Sequence, residues 1–274
     1  MTKSIRYIAY AFIAAICVIA ICVGVFAVAY KDDETQNSKN TVKSNETEEQ
    51  EEINTDEDKE EFLALFENQL FASNFDDSNI EKIVDDQDLV FSGAELKQSE
   101  KDKFDIDVNI PQININSELA TKYNETTQKI FVNKVNEILS NQEDNGFVKC
   151  KISYTAYINN SVLSVAIKED LTENDEERTM IQTYNYNLDT NEEVKASDII
   201  EQRQLDSDKI QDNINKLIEK ESENSENNVE RDIENEAYKV ENIVIFIEGP
   251  NGDLFIIYPY GNGTQTTEMD VLKV

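Results

Sequence analysis

Histidine and tryptophan are absent from this 274-residue chain, and glycine (7), proline (3) and cysteine (3) are scarce. Each absence removes a class of chemistry. Without histidine there is no Ser-His or Cys-His nucleophile pair, no imidazole-bearing zinc site and no haem held by His. Cys17 and Cys22 fall inside an apolar run, so Cys150 is left as the one cysteine of the polar remainder. A Cys-only zinc site and an intrachain disulfide in that remainder are therefore excluded. The seven glycines form neither GxGxxG nor GxxxxGK[ST], so no phosphate-cradling loop is present. No S-x-x-K motif stands out for a Ser-Lys nucleophile. Two carboxylates ~5 to 9 Å apart suffice for glycoside hydrolysis, but with 57 acidic residues such pairing is inevitable and uninformative. The absent tryptophan also removes the usual platform for stacking a sugar. The residues imply no cofactor, no metal and no enzyme.

What is abundant is acid. Asp and Glu number 57 against 25 Lys and Arg, a net charge of −32. Nucleic acid is excluded as a partner, because a phosphate backbone needs basic side chains to replace its counterions. Anionic wall polymers and lipid headgroups are repelled for the same reason. Cationic proteins, peptides and divalent cations are the electrostatically permitted partners. The plainer alternative is that the acid keeps a tethered domain soluble and unattached.

One long apolar run breaks this pattern. Ile8 to Ala29 is 22 residues without a charge, preceded by Lys3 and Arg6 and followed by Lys31-Asp32-Asp33-Glu34. As a helix it reaches about 33 Å, enough for a hydrocarbon core of ~30 Å. The basic residues place the N-terminus in the cytoplasm and the remainder outside the cell membrane, as a single-pass anchor. A signal peptide cleaved after Ala27-Val28-Ala29 is the competing reading; its apolar region is ordinarily shorter, ~7 to 15 residues. A lipoprotein signal fails, since Cys17 and Cys22 each follow Ile where a small residue should stand.

The pattern divides the chain into a cytoplasmic stub (1–7), a transmembrane helix (8–29), an acidic disordered linker (30–59), an amphipathic helix with connector (60–87) and an extracytoplasmic domain (88–274). The domain reads as two sub-modules, 88–190 and 191–274. The linker has almost no apolar residue and cannot offset its ordering entropy. Glu60 to Ser73 reads as one amphipathic helix, with Phe62, Leu65, Phe66, Gln69 and Leu70 at helical spacing. The domain itself is expected to be α+β, an antiparallel sheet with helices packed on one side. Leu89–Gln98 and Phe104–Asn109 read as a hairpin, with Pro111 ending the second strand. A long helix capped by Asn116 or Ser117 carries Leu119, Tyr123, Ile130, Phe131, Val135, Ile138 and Leu139 on one stripe. Three strands follow, with a tight turn at Asn159-Asn160 and an acidic loop from Thr172 to Glu177; Cys150 falls on the core face. A helix from Asp206 or Ser207 places Ile210, Ile214, Leu217 and Ile218 together. Ile243–Ile247 is the best candidate for a central strand, and Gly249-Pro250-Asn251-Gly252 turns it back.

Candidate sites are few. The oxygen-rich stretches Asp76–Asp88, Thr172–Glu177 and Asp189–Glu193 are calcium candidates, although Val194 stands where an EF-hand loop needs glycine; solvated turns and caps are the plainer reading. Tyr258 and Tyr260, beside Gly261 and Gly263, form the one aromatic loop suited to ligand contact. A place at the edge of the core is the alternative.

The order of strand, Ile110-Pro111-Gln112-Ile113, long helix, three-strand meander and Tyr186-Asn187-Leu188-Asp189-Thr190 with Asp198-Ile199-Ile200 carries a resemblance over about 88–274. It resembles a pair of extracytoplasmic modules of Gram-positive bacteria, catalogued as domains of unknown function. One copy forms the outer part of the lysozyme-sensing anti-sigma-V factor, and others precede polysaccharide deacetylase domains. Two departures limit the transfer: only residues 1–7 precede the apolar run, where an anti-sigma factor has a cytoplasmic domain, and no deacetylase domain follows Val274. No relative's binding residue is carried over. The resemblance and the charge together imply recognition of a cell-wall component or a cationic protein such as lysozyme. The rival readings are a scaffold for a neighbouring cell-wall enzyme and a carboxylate-based hydrolase.

Overall fold

The computed structural model describes residues 54–73, 75–140, 146–173, 176–224, 231–262 and 265–274. The expected transmembrane helix and nearly all of the expected linker lie outside the described residues. Among the described residues, no helix is long and apolar enough to cross a membrane.

The chain runs α1 (Thr55–Ala64), β1 (Leu70–Phe71), β2 (Val90–Glu100), β3 (Phe104–Ile113), α2 (Glu118–Thr127), a π-helical turn (Gln128–Val132) and α3 (Asn133–Ser140). It continues through β4 (Val148–Asn159), β5 (Val162–Glu173), β6 (Glu176–Asn187), β7 (Glu192–Glu193), α4 (Ala196–Gln202) and α5 (Ser207–Asn224). Short 3-10 turns then lead to β8 (Phe246–Glu248), β9 (Leu254–Asn262) and β10 (Gln265–Lys273). The fold is α+β. A seven-stranded mixed sheet has the order β2-β3-β4-β5-β6-β7, with β1 also paired to β4, and a separate antiparallel sheet has the order β10-β9-β8.

The single antiparallel sheet expected from the sequence is corrected here. The α2–α3 connection is long enough to carry the chain back over the sheet, so Phe104–Val108 and Val148–Ile152 pair in parallel. Beyond Ile152 the edge of β4 is taken over by other backbone. Asn68 donates its N–H to Tyr154 O (2.8 Å) and accepts Tyr154 N–H on its Oδ1 (3.0 Å). β1 then pairs in parallel with Ala156 and Tyr157. Pro111 does not end β3, which continues to Ile113; it stands at a bulge between Ser92 and Ala94 of β2. The bulge residue is Gly93, where a Cβ would lie 2.7 Å from Gln112 Cβ. The turn of the β4–β5 hairpin uses Asn160 (φ 46°) and Ser161 (φ 65°), one residue later than expected. Thr172–Glu177 is not a loop throughout, since β5 reaches Glu173 and β6 resumes at Glu176.

Helices cover one face of each sheet, and the two remaining faces meet. On the outer face of the large sheet, Ala120, Tyr123, Phe131, Val135 and Ile138 pack against Ile106, Ile152, Val165, Ile167 and Tyr184. Repeated steps of four residues along this helix would drift off a 3.6-residue period. The wider π turn at Gln128–Val132 takes up that drift and keeps Thr127, Phe131 and Val135 on the buried face. Ser117 caps the helix, accepting the Ala120 N–H at 3.1 Å. Between the sheets, Tyr157, Ala166 and Ile181 meet Ile247, Phe255, Ile257, Met269 and Val271, with Phe62 of α1 fully buried among them. Burying such a ring contributes about 1.5–3 kcal/mol. Over the outer face of the small sheet, Ile210, Ile214, Leu217 and Ile218 of α5 cover Leu254, Ile256 and Tyr258.

Ile243–Ile247 supplies only the short edge strand β8. Its buried edge is satisfied by side chains of the large sheet: Glu248 N–H donates to Ser164 Oγ (3.2 Å), Ser164 donates to Asn185 Oδ1 (2.6 Å) and Asn185 Nδ2 donates to Phe246 O (3.1 Å). An open strand edge inside a protein demands this kind of pairing.

Candidate functional site

The sequence candidates Tyr258 and Tyr260 both lie on β9, on the face covered by α5, and both line a shallow groove of about 340 Å³. Their backbone belongs to the small sheet; the facing wall comes from residues 235–245. That wall is anchored to α5 by Gln211, whose Nε2 donates to Tyr238 O and whose Oε1 accepts the Val240 N–H, each at 2.9 Å. Asn235 caps the first 3-10 turn, accepting Ala237 N–H at 3.0 Å, and Asn242 Nδ2 closes the segment on Glu236 O at 2.8 Å.

The three tyrosines of the groove differ in role. Tyr238 is buried, meets Tyr258 edge-on at 5.2 Å between ring centroids, and donates its hydroxyl to that of Tyr260 at 3.1 Å. Tyr258 is 8% exposed and its hydroxyl has no hydrogen-bond partner. Burial raises the Tyr258 phenol well above its ordinary value. Tyr260 is half-buried and lies beneath Arg231, whose guanidinium carbon stands 4.5 Å from the ring centre. Burial first, and then the charge of Asp270, raise the Tyr260 phenol strongly. Both groups stay protonated and present neutral rings.

Arg231 fixes one end of this arrangement. Its Nε and Nη2 donate to the two oxygens of Asp270 at 2.8 and 2.9 Å, and Nη2 also reaches Glu268 at 3.1 Å. The bidentate fork in a buried setting, with the side chain only 2% exposed, makes this pairing a strong tie between the segment leading into the wall and β10. Arg231, Tyr238 and Asp270 were not singled out from sequence. The available signal was a lone arginine and a lone aromatic inside the otherwise acidic 230–241 stretch.

A second hollow of about 320 Å³ lies between Ile200, Gln204 and Leu205 on one side and Val240 and Glu241 on the other. The 3-10 turn Val240–Asn242 thus contributes to both hollows.

The other candidates are dispersed. Asp76–Asp88 is organised by Asn114, fully buried, which accepts Val84 N–H (2.8 Å) and donates to the carbonyls of Val84, Gln87 and Asp88. Asn187 Oδ1 accepts the N–H groups of Asp189 and Thr190, so that turn is closed by its own side chains. Among the described residues, no three Asp, Glu or Cys side chains are grouped so as to hold a metal ion. Besides Asp270, two carboxyls are deeply buried among the described residues. Glu169, beside the Cys150 thiol at 3.9 Å, and Glu248, 3.8 Å from Arg203, are each pushed up to about 7 by desolvation. Neither lines either hollow. Cys150 is itself buried, and desolvation raises its thiol far above the reactive range.

Comparison with protein-family models finds no match for this chain, and comparison with curated proteins finds none.

Proposed function

We propose that the chain is a membrane-anchored, non-enzymatic recognition module. In this reading Ile8–Ala29 is a single transmembrane helix with the N-terminus in the cytoplasm, the following acidic stretch is a disordered tether, and the α+β body stands outside the cell membrane. Its ligand is a cell-envelope component or a cationic protein, with lysozyme the sharpest candidate through the resemblance to lysozyme-sensing modules of Gram-positive bacteria.

The observation that carries this reading is an aromatic groove next to a chain segment, 232–242, whose Asp232, Glu234, Glu236 and Glu241 are all exposed, within a chain of net charge −32. Such a field accelerates encounter with basic proteins and excludes anionic ones. The test uses the full chain in non-ionic detergent micelles, titrated calorimetrically with lysozyme and with an acidic control protein at two salt concentrations. Binding to lysozyme alone, weakening as salt rises, is expected. Absence of binding at low salt refutes it. The topology is tested separately: protease added to intact cells should digest the body and spare the anchor.

A further inference from the structure

We infer that the groove between Tyr258–Tyr260 and the 235–245 wall receives an extended basic segment of the partner protein, in which one aliphatic side chain is flanked by lysines or arginines. The inference rests on the reading of the chain as a receptor for cationic proteins, and adds where and how such a partner is held.

The groove exists because of one proline. Leu254 and Val274 exchange both backbone hydrogen bonds, at 3.2 and 2.9 Å. Even-numbered residues of β9 therefore point their N–H and C=O toward β10, and odd-numbered ones toward β8. Ile257 N–H accordingly donates to Ile245 O at 2.9 Å, and that is the final rung on this side. The next outward position is Pro259, which has no N–H to offer. The ladder stops there, the chain before β8 diverges, and the space between them is the groove. The same proline forbids addition of a partner strand along this edge, so recognition here falls to side chains.

Those side chains are of two kinds. Val244 is 80% exposed, the most open large apolar residue among the described residues, and with Ile245, Pro259 and Ala237 it gives an uncovered apolar surface. The hydroxyl of Tyr258, 92% buried with its residue, has no hydrogen-bond partner. An orphaned donor of this kind is uncommon in native interiors, and here it belongs to a residue that lines the groove. Interleaved in the chain with the groove-lining Asn235, Ala237, Tyr238 and Asn242, residues 232–242 carry four exposed carboxylates, none of them lining the groove itself, against the single ammonium of Lys239. The nearby Arg231 is engaged with Asp270 and Glu268.

This pairing of features selects the occupant. An acidic or phosphate-bearing ligand is repelled, and a second copy of this chain would bring like charge against like charge. A basic segment meets the carboxylates beside the groove, and an aliphatic side chain between its charges covers Val244. Exposed ion pairs are individually weak, so the charges confer salt sensitivity and orientation while the apolar contact provides the anchor.

The probe is a ten-residue fluorescent peptide of alternating lysine and glycine with one central leucine, followed by anisotropy with the full chain in non-ionic micelles. Val244 is exposed, so Val244→Asp preserves the fold. It should weaken binding about tenfold or more, as should replacing the leucine of the peptide by serine. A triple variant, Glu234→Gln, Glu236→Gln and Glu241→Gln, should weaken binding at low salt and flatten its salt dependence. A control triple on the large sheet, away from the groove lining, Glu95→Gln, Glu100→Gln and Glu177→Gln, should leave both unchanged. If the peptide binds, but equally to Val244→Asp and to the groove triple, the groove assignment is overturned while the receptor reading stands. If lysozyme binds and the peptide does not, the assignment likewise falls alone. If neither binds, both fall.

Discussion

Raising the pH from 5 to 8 should destabilise the folded body through Glu248 and Glu169, and Glu248 allows the effect to be isolated. This carboxyl is 3% exposed, faces Arg203 at 3.8 Å, and is pushed up from 4.5 to about 7 by burial. The folded state therefore holds the proton more tightly than the unfolded chain. The stability conferred by the protonated form is complete below about 4.5, is lost as pH rises through about 7, and then levels off. At about 1.36 kcal/mol per unit, the loss is on the order of 3 kcal/mol, a sizeable share of the ~5–15 kcal/mol that holds a typical domain. The net charge of −32 acts in the same direction, because self-repulsion grows as carboxyls ionise. Glu248→Gln separates the two: it leaves the other charges in place and presents an amide that never ionises. Urea unfolding of the full chain in micelles, followed by circular dichroism at constant ionic strength, gives the comparison. The variant should match the wild type near pH 5 and exceed it by up to about 3 kcal/mol at pH 8. An equal difference at both pH values would refute the argument, since the buried carboxyl would then not be titrating with folding.

Three further outcomes follow from particular contacts. Arg231→Met should cost about 3–5 kcal/mol by stranding the buried Asp270, and a double-mutant cycle with Asp270→Asn should return much of it; independent, additive effects would show that the fork is not the tie described. Phe62→Ala should cost about 3–5 kcal/mol in urea unfolding, because the ring fills the space between the sheets beside Phe255, and a loss near zero would mean that α1 is not docked there. Cys150 should resist alkylation in the native chain and react once urea is added, as read by peptide mass analysis that separates it from Cys17 and Cys22; native labelling would contradict its burial.

Much of the fold was legible because it depends on local pattern. The alternation of Leu163, Val165 and Ile167, the spacing of Ile210, Ile214, Leu217 and Ile218, and the core placement of Cys150 all follow from which face an element turns inward. Asp206 was legible as a helix start for the same reason, its Oδ1 accepting the N–H groups of Asp208 and Lys209. The helix near the N-terminus was less so. It spans Thr55–Ala64, beginning inside the stretch read as linker and ending well before Ser73, since Leu70 and Phe71 form β1 against β4 instead; it owes its place to long-range partners. Phe62 lies between the sheets, Thr55 donates to Glu221 at 2.7 Å, and Asp58 accepts the Lys273 N–H at 2.9 Å.

By itself the sequence determined composition-level facts and face-level ones: which chemistries lack their residues, how acidic the body is, and which side of each strand or helix is apolar. These depend on neighbours within a few positions. Only the tertiary structure decided that two sheets exist, that a parallel crossover joins β3 to β4, and that Pro259 halts a ladder so that Tyr258, Tyr260 and the 235–245 segment frame one groove. Those outcomes depend on which strands meet across dozens of residues, and the energies that choose among pairings are sums over contacts that no local period encodes.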